Sequence, residues 1–205
     1  MPRANRIAVV AVAAAATACM LSCPPLVQAG GGRYAFDGGT AREQRDVERA
    51  LEVSEFDWDL VPRRVVIHIE RGTESRATPG EIWLDANLLD AGAFAWGVVQ
   101  HEYAHQVDFL LFDDADRALL LSRLASETWC SETADLQHAD LGCERFASTL
   151  AWAYWPSVEN CLRPSTPGDE SAAMAPAPFR ALVSELTRRG TTREQRRKLH
   201  AQDGR

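Results

Sequence analysis

The sequence predicts an α+β fold, with a small N-terminal β-sheet packed on a central helix and a helical C-terminal half. Three features carry this. Two short β-rich runs, Arg64–Ile69 and Glu81–Asp85, precede the middle of the chain and are separated by the turn Thr78-Pro79-Gly80. A proline-free, largely apolar stretch then runs from Ala93 to Phe112 and reads as one buried helix. Beyond it, apolar residues recur at helical spacing. At 205 residues, 46% hydrophobic and 25% charged, the chain suits one domain with a substantial core. Its formal net charge of −7 leaves no electrostatic footprint for nucleic acid.

Residues 1–29 read as a signal peptide rather than as part of the domain. Arg3 and Arg6 supply the positive start, Ile7–Ala18 the apolar region, and Val27-Gln28-Ala29 the small residues for cleavage before Gly30. Lipoprotein processing at Cys23 or Cys19 is the competing route, but Met20-Leu21-Ser22 and Ala16-Thr17-Ala18 are poor processing signals. The apolar run is shorter than the roughly 20 residues of a membrane span, and no other stretch is long enough. The expected product is exported and soluble, secreted or in the cell envelope, with one domain over 30–189 and a polar, basic tail over 190–205. Cys130, Cys143 and Cys161 remain after cleavage, so one disulfide is available, and sequence alone does not choose the pair. A bridge from Cys161 to either of the others would steady a proline-rich segment.

Taken in order, Gly30–Gly39 is a glycine-rich extended lead-in. Thr40 with Glu43 forms a capping box for a helix to about Ser54, packing through Val47, Ala50 and Leu51. In the first strand His68 faces solvent. The second strand, just ahead of the central helix, is either a sheet edge open to an extended peptide or part of a structural hairpin. Asp113-Asp114-Ala115-Asp116 caps a helix from Asp116 to about Glu127, with Leu119, Leu120 and Leu124 inward. Lacking the glycine and terminal glutamate of a calcium loop, it is not read as a cation site. Ser131–Trp155 holds one or two helices with a break near Asp140-Leu141-Gly142, ended by Pro156. The segment carrying Pro164, Pro167, Pro176 and Pro178 is irregular. A last helix, Phe179–Arg189, packs through Leu182, Val183 and Leu186, and the chain frays from Thr191.

The central helix contains His101-Glu102-Tyr103-Ala104-His105. Residues four apart lie one turn above each other, so both imidazoles can meet one metal ion. Glu102 sits about 100° round the helix, beside the metal and free to take a proton from its water. Without a metal, two histidines and a glutamate on a buried helix would be desolvated at a cost. A catalytic zinc usually takes three protein ligands and keeps an open position. Glu144 is the best third candidate: the turn after it carries Ala147 and Ser148, and Gly97 is small on the metal helix, so two helices can approach closely. Glu132 and Asp135 are lesser options. Asp108, on the histidine face, is expected to accept an imidazole N–H and fix a ligand tautomer rather than bind metal. His138 and Tyr154 are candidate stabilisers of the oxyanion formed in hydrolysis, and Tyr103 is structural.

These residues resemble the zincins, zinc metallopeptidases with H-E-x-x-H on an active-site helix. Glu144 with Ala147 and Ser148 is similar to the Glu-x-x-Ala/Ser signature of the glutamate-ligand branch, the gluzincins. The metzincin branch fits poorly, because Asp108 and Leu111 stand where its Gly and His belong. The resemblance spans about Val65–Trp155. It implies one Zn²⁺ per chain held by His101, His105 and Glu144, Glu102 as general base, and a peptide or protein substrate. Two other readings compete. A non-catalytic, zinc-stabilised envelope-binding domain would close the fourth position with Asp108 or His138, and has no use for Glu102. A zinc hydrolase of a non-peptide cell-wall amide suits six tryptophans, though most lie in segments that read as core.

Overall fold

The computed structural model describes residues 32–130 and 137–203. The signal peptide with its cleavage site, and the lesser ligand candidates Glu132 and Asp135, lie outside the described residues. The fold is mixed α+β. β1 (Tyr34–Gly38) leads into α1 (Ala41–Glu52), then β2 (Val65–Glu70), β3 (Arg76–Thr78) and β4 (Glu81–Asp85). The short α2 (Ala86–Leu89) precedes the central α3 (Trp96–Leu111), followed by α4 (Asp114–Leu124), α5 (Gly142–Tyr154) and α6 (Pro176–Asp203).

The sheet has the order β1-β2-β4-β3, parallel except for β3, which runs antiparallel to β4. The extended lead-in is a paired strand, Tyr34 beside Val65. β4 is interior and forms a hairpin with β3, the second of the two readings of this strand, so the edges are β1 and β3. Along β2 and β4, Val65, Ile67, Ile69, Ile82 and Leu84 alternate into the core. They share that core with Val47, Ala50 and Leu51 of α1 and Val99, Tyr103 and Val107 of α3. The outward residues His68 and Trp83 stack at 4.8 Å, with Asp37 on His68 Nδ1 at 2.8 Å, well removed in role from the α3 histidines.

The α1 capping box forms as the Thr40/Glu43 spacing dictates. A second one, Asp113 with Asp116, starts α4. α3 is buried around most of its circumference, which is why its polar residues must all find work. Gln100 Nε2 donates to Ala50 O at 2.7 Å and fastens α3 to α1. Gln106 accepts from Gly80 N at 2.7 Å and donates to Thr78 O at 2.8 Å, clamping the β3–β4 turn onto α3. The break before α5 falls at Leu141-Gly142, and the helix stops at Tyr154, ahead of the residue that precedes Pro156.

α6 does not fray at Thr191. It continues to Asp203, because Gly190 brings it against Leu111 and Arg193 donates to Leu111 O at 2.8 Å while pairing with Asp113 and Asp116. Arg193 is the residue of this polar stretch that bonds to the acidic start of α4, while Lys198 pairs with Glu194 within α6. The disulfide joins Cys130 to Cys143, and Cys161 is free, so the proline-rich segment is not held by a bridge. Asn160 holds that segment instead, buried and donating to Ala151 O and Trp155 O at 3.2 and 3.0 Å. No helix among the described residues is long and apolar enough to cross a membrane.

Candidate metal centre

α3 and α5 pack together and bring three donor atoms to one point. His101 Nε2 lies 3.0 Å from Glu144 Oε2, His105 Nε2 lies 3.4 Å from the same oxygen, and the two Nε2 atoms are 3.2 Å apart. Ligands about 2.0–2.1 Å from a tetrahedral zinc stand roughly 3.3–3.4 Å from one another. Two imidazole nitrogens and a carboxylate oxygen with these separations therefore fit Zn²⁺ in both geometry and chemistry. Glu144 is the ligand candidate that the structure brings to the histidine pair. A neighbouring group of Cys130, Cys143 and Glu144 does not offer a second site, since both sulfurs are spent in the disulfide.

The electrostatics follow from crowding. Burial works to raise the Glu144 carboxyl, but hydrogen bonds with His101, His105 and His138 outweigh it and hold it well below the usual carboxylate range. Burial lowers the affinity of His105 for a proton, and Glu144 more than reverses this, so the net direction is up. Glu102, 5% exposed, is pushed up by burial against the pull of His101 and His105. A carboxylate that accepts protons more readily than usual is what a general base needs.

His101, Glu102, His105, Phe109, Cys130, His138 and Glu144 line a cavity of 190 Å³, whose other wall is Glu74–Ala77 at the start of the edge strand β3. The site thus opens beside a strand with one unpaired side, held against α3 by Gln106.

Three sequence expectations are corrected. Asp108 does not touch an imidazole: it accepts from Arg117 Nε at 2.8 Å and Trp129 Nε1 at 3.0 Å, on the side of α3 facing α4. Shared helix face was insufficient, because two stronger donors claim the carboxylate. His105 Nδ1 accordingly has no hydrogen-bond partner among the described residues. Tyr154 is remote from the site, its ring on Phe56 and under Arg180 and its hydroxyl 3.5 Å from Arg180 O. Gly97 makes room for Asn160, whose Oδ1 would lie 2.2 Å from an added Cβ, rather than for α5.

His138 does reach the site: its Nε2 is 3.0 Å from Glu144 Oε2 and its Nδ1 is 2.8 Å from Glu170 Oε1. With a carboxylate at each nitrogen its pKa is raised to about 10. Tyr103 is structural, its buried ring edge-on to Trp58 at 5.1 Å. Sequence reasoning missed Ser148, Glu170 and Gln106 as functional neighbours. Ser148 was visible only as a small residue, and Glu170 sits in a short turn within the proline-rich segment, where no local pattern marks it. Comparison with protein-family models, curated proteins and solved structures finds no match.

Proposed function

We propose that the chain is an exported, zinc-dependent metallopeptidase of gluzincin type. The observation that carries this is the triangle of His101, His105 and Glu144 donor atoms, 3.0–3.4 Å on a side, with the buried carboxylate of Glu102 in the same cavity. One zinc held there supplies a Lewis acid and lowers the pKa of water towards about 7. Glu102 would take the proton from the attacking water and return it to the leaving amine. His138 lines the cavity with Nδ1 on Glu170 and Nε2 on Glu144 Oε2 at 3.0 Å, so it has to release Glu144 before that N–H can stabilise negative charge on the carbonyl oxygen. β3 offers an extended peptide the backbone groups of a free edge, which favours a peptide over a cell-wall amide as the substrate. The Cys130–Cys143 disulfide accords with an oxidising, extracytoplasmic setting.

The test is Glu102→Gln, assayed against a library of short peptides with metal content measured in parallel. The variant is expected to keep its zinc and lose about 10²–10⁴-fold in turnover, the usual contribution of a positioned acid–base group. Turnover at the wild-type rate contradicts the assignment.

A further inference from the structure

A third carboxylate stands behind the candidate ligands. Glu170 opens a short 3₁₀ turn, Glu170–Ala172, and its backbone oxygen receives a hydrogen bond from Thr149 of α5 at 3.2 Å. Its Oε2 accepts from the Ser148 hydroxyl at 2.7 Å, and that same hydroxyl oxygen lies 3.0 Å from His101 Nδ1. Its Oε1 lies 2.8 Å from His138 Nδ1. The contacts close a ring from Glu170 through Ser148, His101, Glu144 and His138 back to Glu170.

The direction of each bond in this ring is fixed by what the groups can donate. An ionised carboxylate only accepts, so the one hydroxyl hydrogen of Ser148 points to Glu170. The serine oxygen then presents a lone pair to His101, and Nδ1 must be the nitrogen that carries hydrogen. Nε2 faces Glu144, also an acceptor, so without a metal that nitrogen carries hydrogen as well, and a metal bound there would take its place. By the same reasoning, Glu170 Oε1 requires hydrogen on His138 Nδ1, and Nε2 of that ring donates to Glu144 Oε2 at 3.0 Å.

We infer that Glu170 is a positioning residue: its two oxygens set which nitrogen of His101 faces the metal centre, through Ser148, and which edge of His138 faces the substrate cavity. The inference rests on the zinc reading for its functional meaning, but the hydrogen bond it assigns from His101 Nδ1 to Ser148 is a property of the protein alone. No metal, substrate or neighbouring charge other than Glu170 is needed to orient the Ser148 hydrogen. The carboxylate comes from a loop distant in sequence, so the arrangement is a tertiary one that ties the proline-rich segment to the site.

The experiment compares wild type with Glu170→Gln, Ser148→Ala and the double variant. Two readings are taken: zinc affinity by chelator competition, and the protonation of His101 Nδ1 by ¹⁵N-resolved NMR of the metal-free protein. The expected result is an Nδ1 proton protected from exchange in wild type that loses its protection in both single variants. Zinc binding is expected to weaken about 10–100-fold in each, as for other groups that orient a ligand histidine. The double variant should be no worse than the weaker single one, because the two residues act in series. Should Glu170→Gln fail to fold, Ser148→Ala gives the same two readings. An unchanged Nδ1 proton together with zinc affinity within threefold of wild type overturns the inference. If wild type binds no zinc, the peptidase reading falls, and the NMR comparison still decides whether Glu170 holds His101 Nδ1 through Ser148.

Discussion

Replacing Asp108 by alanine separates two roles that its position on α3 leaves confounded. The carboxylate is 2% exposed and receives two side-chain hydrogen bonds, from Arg117 Nε at 2.8 Å and Trp129 Nε1 at 3.0 Å. Hydrogen bonds to a charged group contribute about 1.5–3 kcal/mol each, and removing one partner of a buried ion pair costs about 3–5 kcal/mol. Arg117 keeps 28% of its side chain in solvent, so water can take over part of its bonding and the lower end applies. The expected destabilisation is about 3 kcal/mol, which for a chain of this size lowers Tm by roughly 6–12 °C. Because no imidazole touches Asp108, zinc affinity should stay within about threefold of wild type. Urea unfolding and chelator competition on the same preparation measure both quantities. Loss of zinc as complete as in His101→Ala, with unchanged stability, refutes the reasoning and restores Asp108 to the metal site.

Three further predictions concern the frame around the site. Gly190→Ala in α6 gains about 1 kcal/mol of helix propensity, yet its Cβ meets Leu111 O at 2.4 Å, and crowding of this kind costs about 1–3 kcal/mol or more. A net loss in urea midpoint is expected, whereas a frayed tail gives a gain. Replacing Cys130 and Cys143 by serine opens a loop of sequence separation 13 and should cost about 3 kcal/mol in a denaturant titration, with Cys161→Ser near neutral; the reverse pattern contradicts this pairing. In the metal-free protein His138 is raised to about 10 by Glu144 and Glu170. Its contribution to stability is therefore complete below about pH 6.5, the ordinary histidine value, and is lost as pH climbs through about 10. An NMR titration should find the imidazolium intact at pH 8 in wild type and a lower transition in Glu170→Gln.

The parts of the molecule governed by local spacing were legible in the sequence. His101 and His105 share a face because four residues make one turn, Thr40 and Glu43 cap α1 because three residues bring them together, and Pro156 stops α5. Glu144 was reachable because a carboxylate followed by small residues needs only one helix–helix contact. What escaped depends on partners far along the chain. Asp108 has the right face of α3 but is claimed by Arg117 and Trp129, and no spacing rule announces which donor wins. β3, at three residues, is too short to show alternation, so the spacing left open whether β4 was an edge or half of a hairpin; it is the hairpin, with β3 outside it. The tail from Thr191 looks solvated by composition, and only the acidic residues at the start of α4 show what Arg193 bonds. Glu170 is invisible without the fold, being an isolated glutamate in a loop.

The measurement that tests the central claim most directly is the zinc content of the purified protein, wild type beside Glu144→Ala. The account predicts one zinc per chain in wild type, and binding weakened many-fold when the carboxylate that meets both imidazoles is removed. A wild-type protein that takes up no zinc, or a Glu144→Ala variant that holds it as tightly as wild type, contradicts the account.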